Sequence, residues 1–280
     1  ALARVLSVKL TEMWKQQVIV ENKAGVAGVL AAEYVSQQPA DGNTLLMAHI
    51  NSHALATSLQ PKLRYNVERD FTPIMLVGVT PNLLIANKNQ AAKSVPDIVA
   101  LCKAQPGKVS FGSAGAGSAQ HLALEMFKLR AKVDALHIPY KGSGPLLQDL
   151  IGGQIQYSFE TMTAATPHVK SGNAIAIAQT RTKRAKGHPN VPTMAELGFE
   201  GFDATTWYGL AGPGKLSPAI VAKINRDANA VLAMPDVQEK LDTYGAEDGG
   251  GSPEKFAEFI RSETAKWAKV VKDADVRIDS

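Results

Sequence analysis

Ser110-Phe-Gly-Ser-Ala-Gly-Ala-Gly-Ser-Ala-Gln-His121 sets three glycines and three serines between a strand-like run, KVSFGS (108–113), and a helical pattern, SAQHLALEMFKLRA (118–131). The spacing of Gly112, Gly115 and Gly117 is G-x-x-G-x-G, not the dinucleotide fingerprint G-x-G-x-x-G, because position 120 is Gln. A P-loop would carry Lys after its last glycine, and Ser118 stands there. What remains is a strand–loop–helix junction with free N–H groups and two hydroxyls, Ser113 and Ser118. A helix N-terminus of this kind favours a negative group by roughly 0.3–1 kcal/mol. Three glycines exceed the needs of a cap, so the stretch reads as an anion site, with a plain cap packed tightly by glycine as the alternative.

Outward from this junction, short β-branched or aromatic runs alternate with helical patterns. QVIVEN (17–22), TLLMAHI (44–50), IMLVGVTPNLLIAN (74–87), ALHIPY (135–140), IQYSFET (155–161) and AIAIAQT (174–180) read as strands. Ser94 caps one predicted helix and Ser118 another, in which Leu122, Met126 and Leu129 share a face. SGPLLQDLIGG (143–153) is a third. Ser217-Pro218 and Ser252-Pro253 open two more, the last with Phe256, Phe259, Ile260, Trp267, Val270 and Val271 on one side. Strands alternating with helices, and helices last, predict an α/β fold.

The chain has 280 residues, 45% of them hydrophobic and 20% charged, which is ordinary for a soluble globular protein with ample core. The net charge of +4 is spread along the chain, which argues against nucleic-acid binding. A lone cysteine, Cys102, excludes an internal disulfide framework and a multi-cysteine metal site. Leu2, Val5, Leu6, Leu10, Met13 and Trp14 follow helical spacing from the second residue with no N-cap before them, so a segment N-terminal to residue 1 is expected.

Chemistry beyond anion binding is weakly signalled. His49 and His53 are four apart, but H-E-x-x-H lacks its Glu here, so neither a metal nor any other cofactor is expected. Asn51 and Ser52 are polar residues after an apolar strand, where open α/β sheets face their ligand crevice. Glu160-Thr161 is another polar pair at a strand end. In Thr205-Thr206-Trp207-Tyr208, the aromatic pair beside two hydroxyls suits a cleft wall or a packed core strand. No G-x-S-x-G elbow occurs, and Ser118 with His121 lacks a third group.

Seven segments in order resemble the Bug-type substrate-binding receptors of tripartite tricarboxylate transporters: VENKAGVAGVLAAEYV, PADGNTLLMAHINSHA, RDFTPIMLVGVTPNLLIAN, the glycine stretch, HIPYKGSGPLLQDLIGGQI, KGHPNVPTMAELGFEGFDATTWYGLAGP and SPEKFAEFIRSETAKWAKVVKDA. The resemblance covers essentially the whole chain. It implies a two-lobed type II periplasmic binding protein fold with a cleft between lobes. The hinge crossings fall near Ile85–Asn87 and Trp207–Gly212, so residues 1–87 and 208–280 form lobe 1 and 88–207 form lobe 2. It further implies a non-enzymatic, periplasmic, monomeric receptor that holds a small carboxylate, an amino acid or a di- or tricarboxylate, and delivers it to the membrane subunits of the transporter. The carboxylate loop corresponds to Ser113, Ala114, Gly115, Gly117, Ser118, Ala119 and Gln120. Asn51, Ser52, Glu160, Thr161, Thr206 and Trp207 complete the expected ligand-binding set. In two respects the sequence departs from its relatives. The family's first strand and the glycine-rich loop after it are absent from the sequence, and Glu160-Thr161 replaces a common Asp-Asn. An acidic cleft residue suits a ligand amino group. An enzyme on the same scaffold, with His121 or Lys141 as base, and a ligand-sensing module are the alternatives.

Overall fold

The computed structural model describes residues 1–23, 25–273 and 275–277. Ala24, Ala274 and residues 278–280, which fall in the span assigned above to lobe 1, lie outside the described residues. In chain order the elements are α1 (Leu2–Trp14), α2 (Val29–Ser36), β1 (Leu46–His49), α3 (Ala56–Leu59), α4 (Val67–Asp70), β2 (Phe71–Thr80), β3 (Asn82–Asn87), α5 (Val95–Ala104) and β4 (Ser110–Ser113). Then come α6 (Ala119–Ala131), β5 (Leu136–Pro139), α7 (Ser143–Ile151), β6 (Tyr157–Thr161), α8 (Met162–Lys170), β7 (Ala174–Gln179), β8 (Thr206–Pro213), α9 (Pro218–Leu232), α10 (Pro235–Thr243) and α11 (Pro253–Asp273). The α/β expectation is met. Among the described residues, no helix is long and apolar enough to cross a membrane.

The strands form two sheets. In the first, β8 lies between β1 and β2 and pairs antiparallel with both. The second has the order β5-β4-β6-β3-β7, with β4 parallel to β5 and β6, and β3 antiparallel to β6 and β7. The run 74–87, continuous in apolar character, is cut at Pro81: β2 belongs to the first sheet and β3 to the second. Proline has no N–H to continue a ladder, so the chain changes sheet there. The return passes through Thr180 and Ala204, and a buried hydrogen-bonded knot ties both passages together. Asn82 N donates to Thr180 Oγ1 (2.9 Å), Asn82 Nδ2 to Ala204 O (3.1 Å) and Thr206 Oγ1 to Asn82 Oδ1 (3.2 Å).

Serine caps start the helices where the sequence places them. Ser94 accepts from Asp97 N, Ser118 from His121 N, Ser217 from Ile220 N and Ser252 from Lys255 N. α11 buries Phe256, Ile260, Glu263, Trp267 and Val271 at helical spacing, and the Trp267 indole N–H finds the Glu263 carboxylate at 3.0 Å. The second sheet packs an aromatic cluster of Phe111, Phe127, Phe159 and Phe202 against α6. The first packs Ile74, Met75 and Val77 against Leu2, Leu6 and Leu10 of α1 and Ile224 and Val231 of α9.

Two local expectations are corrected. QVIVEN is not a strand: residues 17–22 take no regular structure and join no ladder, and Ile19 is 72% exposed. This segment faces the unpaired edge of β1 across a groove of about 500 Å³, and a strand needs a hydrogen-bonding neighbour as well as a suitable composition. Leu129 does not share the buried face of α6 but is 50% exposed, because the buried stripe runs through Leu122, Ala123, Met126 and Phe127 and leaves the last turn in solvent.

Candidate functional site

The glycine stretch runs from the end of β4 into α6. Its glycines divide by role. Gly112 lies inside the sheet, where a Cβ would collide with Ile155, so it is a packing residue. Gly115 (φ 141°) and Gly117 (φ 76°) hold left-handed or extended-positive backbone that other residues resist. The loop's donors are mostly engaged. Gly115 N–H donates to Ser113 Oγ (3.2 Å), Gly117 N–H to His121 Nδ1 (3.1 Å) and Ser118 N–H to Gly115 O (3.1 Å). Ser118 Oγ, fully buried, accepts from His121 N at 3.3 Å and so caps α6.

The N–H of Ala119, the first residue of α6, points out of this lattice. It donates to Asn51 Oδ1 at 3.0 Å. Asn51 opens a π-helical turn, Asn51–Leu55, directly after β1, so the bond joins an element of the first sheet to an element of the second. An amide oxygen therefore occupies the place at the α6 N-terminus that an anion would take. Ser52, the other polar residue expected here, faces into its own turn: its hydroxyl donates to His49 O (3.1 Å) and meets His53 Nδ1 (2.9 Å).

Strand register decides which side chains accompany Asn51. His49 lies opposite Tyr208 in the β1–β8 pair, and the rings meet at a tilt of 57° with centroids 4.9 Å apart. Side chains alternate along a strand, so the neighbouring Trp207 points the other way and packs edge-on against Phe256 and Phe259 of α11. Thr206 gives its hydroxyl to the Asn82 knot. Burial holds the His49 imidazole down at about 4 and, with the charge of His49, the His53 imidazole at about 3, while burial pushes the Tyr208 phenol up to about 12. All three rings are neutral near neutral pH. Tyr208 was legible only as half of an aromatic pair; nothing in the spacing shows which of the two faces His49.

Glu160, the penultimate residue of β6, is fully buried. One carboxylate oxygen accepts from Thr161 N (2.6 Å), Thr161 Oγ1 (3.0 Å), Ser143 Oγ (2.9 Å) and Gln120 Nε2 (3.1 Å). Its other oxygen and Gln120 Oε1 are buried with no hydrogen-bond partner among the described residues. Burial raises the Glu160 carboxyl above its ordinary value, against the hydrogen bonds that favour the charged form. Gln120, Glu160 and Thr161 thus form one network with Ser143, a residue the sequence did not single out. Ser118 and His121 do not form the pair that nucleophilic catalysis needs: Ser118 Oγ accepts a backbone N–H, and His121 Nδ1 is occupied by Gly117.

The profile of the tripartite tricarboxylate transporter family receptor, TctC, matches residues 2–276. Protein BugT of Bordetella pertussis is 37% identical over 278 residues, spanning 99% of this chain and 85% of its own length. Among solved structures, Rpa4515 of R. palustris with adipate superposes with a TM-score of 0.95 at 33% identity, over 99% of this chain and 92% of its own. MatC of Rhodopseudomonas palustris with bound malate gives 0.88 at 30% identity, over 96% and 93%.

Proposed function

The chain belongs to the tripartite tricarboxylate transporter receptor family, and we propose that it captures a small carboxylate between its two sheets and delivers it to membrane subunits of such a transporter. Receptors of this family bind solutes and are not enzymes. The observation that carries the reading is the Ala119 N–H···Asn51 contact. A helix N-terminus is offered across the interface between the sheets, and an incoming carboxylate would displace the Asn51 amide oxygen to take it. The bound adipate and malate of the two similar receptors support this ligand class.

In this reading, the loop Ser113–Gln120 and Asn51 receive the ligand carboxylate. Glu160 and Thr161 line the second-sheet side, His49 and Tyr208 the first-sheet side, and Ser52, Thr206 and Trp207 shape the wall behind them. Glu160 and Gln120 are hydrogen-bonded to each other, and each keeps a buried oxygen with no partner among the described residues, which an ammonium group would satisfy, so amino acids are the favoured subclass. A division into two lobes is part of the proposal; the membership of β3 in the second sheet and of β8 in the first supports drawing the crossings at Pro81 and just before Thr206, in place of 87/88 and 207/208. Periplasmic location and a monomeric state complete it. Titration calorimetry against adipate, malate, aspartate and glutamate tests the function. At least one should bind in the micromolar range, about 8 kcal/mol of net binding, and no binding by any of them overturns the reading.

A further inference from the structure

The loop just described is fastened at both ends by histidines. At its entry, Ser113 Oγ lies 2.6 Å from His137 Nε2 on β5. At its exit, Gly117 N–H donates to His121 Nδ1 on the first turn of α6 at 3.1 Å. The two imidazoles stack on each other, centroids 3.8 Å apart and planes within 5°. Loop entry, loop exit and the α6 N-terminus are thereby joined through one ring pair.

We propose that His121 and His137 are positioning residues for the carboxylate loop, and that protonating the pair loosens the loop and lowers ligand affinity. The proposal rests on the receptor reading for its ligand but not for its geometry. Because Gly117 donates to it, His121 Nδ1 carries no proton; the ring proton is on Nε2, which faces Glu125 Oε1 at 3.6 Å. A second proton can only go to Nδ1, where it ends the Gly117 bond. At His137 the Ser113 contact survives protonation, since the serine hydroxyl donates to Gly115 O at 3.0 Å and its oxygen can accept from Nε2. A charge on either ring lies stacked against its neighbour, and two charges repel.

The charged groups that bear on the pair are Glu125 and Lys128, both on α6 and bonded to each other at 3.0 Å. β4 contributes only the Ser113 hydroxyl. Tyr140, past β5, gives its hydroxyl to Asp149, and Glu160 of β6 is engaged by Gln120 and Ser143. Burial, then the His121 charge, holds His137 down at about 4, with Glu125 opposing. That value lies below the ordinary 6.5, so the fold favours neutral His137. Its contribution is complete above about pH 6.5 and is lost as the pH falls toward about 4.

The test compares wild type with His121→Asn, whose amide oxygen can accept from Gly117 without titrating. Affinity for aspartate, glutamate, malate and adipate is measured at about pH 7.5 and about pH 4. Ligand ionisation affects both proteins alike, so the difference in slope isolates the histidine. Wild type should lose about 3- to 10-fold more affinity on acidification than His121→Asn, one neutral hydrogen bond's worth. Equal slopes overturn the proposal. If no ligand binds at the higher pH, the receptor reading fails on its own. The amide resonance of Gly117 in the ligand-free wild type then decides the histidine proposal: it should move with imidazole titration, and a resonance that stays fixed overturns it.

Discussion

Replacing Asn51 with Asp should convert the receptor into a self-occupied form. The change is nearly isosteric and places a carboxylate oxygen 3.0 Å from Ala119 N–H, where an amide oxygen now accepts. A neutral hydrogen bond contributes about 0.5–1.5 kcal/mol and one to a charged group about 1.5–3, so the substitution strengthens the contact by roughly 1–1.5 kcal/mol. The α6 dipole adds about 0.3–1 kcal/mol. A ligand carboxylate must displace this stronger partner, so affinity should fall by about 10- to 70-fold. The same gain should raise the melting temperature of the ligand-free protein, and the rise should vanish once the new carboxyl is protonated at low pH. Calorimetric titration and thermal unfolding on the same samples read both effects. If Asn51→Asp binds ligand as tightly as wild type, the α6 N-terminus is not the carboxylate position and the functional argument fails at its base.

Other expectations are simpler to state. Ser118→Ala removes the α6 cap and should cost about 1 kcal/mol of stability, read as a lower denaturation midpoint; if affinity is untouched, the Ser118 hydroxyl is a cap and nothing more. Glu160→Gln should weaken aspartate binding more than malate binding in calorimetry, and equal losses would remove the ammonium subsite. Gly209→Ala drives a methyl into the Phe256 ring and should destabilise the packing of β8 on α11 by about 1–3 kcal/mol; an unchanged melting temperature would refute that close approach. His49 is held neutral by burial at about 4, below its ordinary 6.5. Its stabilising contribution is therefore full above about pH 6.5 and should decline toward pH 4, by on the order of 2–3 kcal/mol. A His49→Gln variant with the same pH dependence in urea unfolding would contradict this.

Local chemistry was legible in the sequence. Ser94, Ser118, Ser217 and Ser252 announce helix starts because a cap is a contact between near neighbours. The strand runs are recognisable by composition, and the glycine stretch by its failure to match two nucleotide patterns. What stayed hidden depends on distant partners. QVIVEN has the composition of a strand but no ladder, because the neighbour that a strand requires is not written in its own residues. Gly112 reads like a loop glycine, yet its role follows from Ile155 packing on it. Glu160 looks like an exposed strand end until Gln120, Ser143 and Thr161 converge on it. The His121–His137 stack arises only when the parallel β4–β5 register brings position 137 under the first turn of α6. The resemblance to a receptor family supplied the carboxylate, which the residues alone leave as an unspecified anion.

The placement of β8 between β1 and β2 also governs the order in which this protein folds. The strands of the second sheet all come from a continuous stretch, Asn82 to Gln179, so that sheet can assemble from its own segment. The first sheet cannot: among the described residues β1 and β2 each pair only with β8, so neither has a ladder partner until Thr206–Pro213 arrives between them. Such long-range closure is slow, and it leaves unpaired strand edges exposed while it is awaited. Refolding from denaturant should therefore show two kinetic phases, the later one reported by fluorescence in a Trp14→Phe, Trp267→Phe variant that keeps Trp207 on β8.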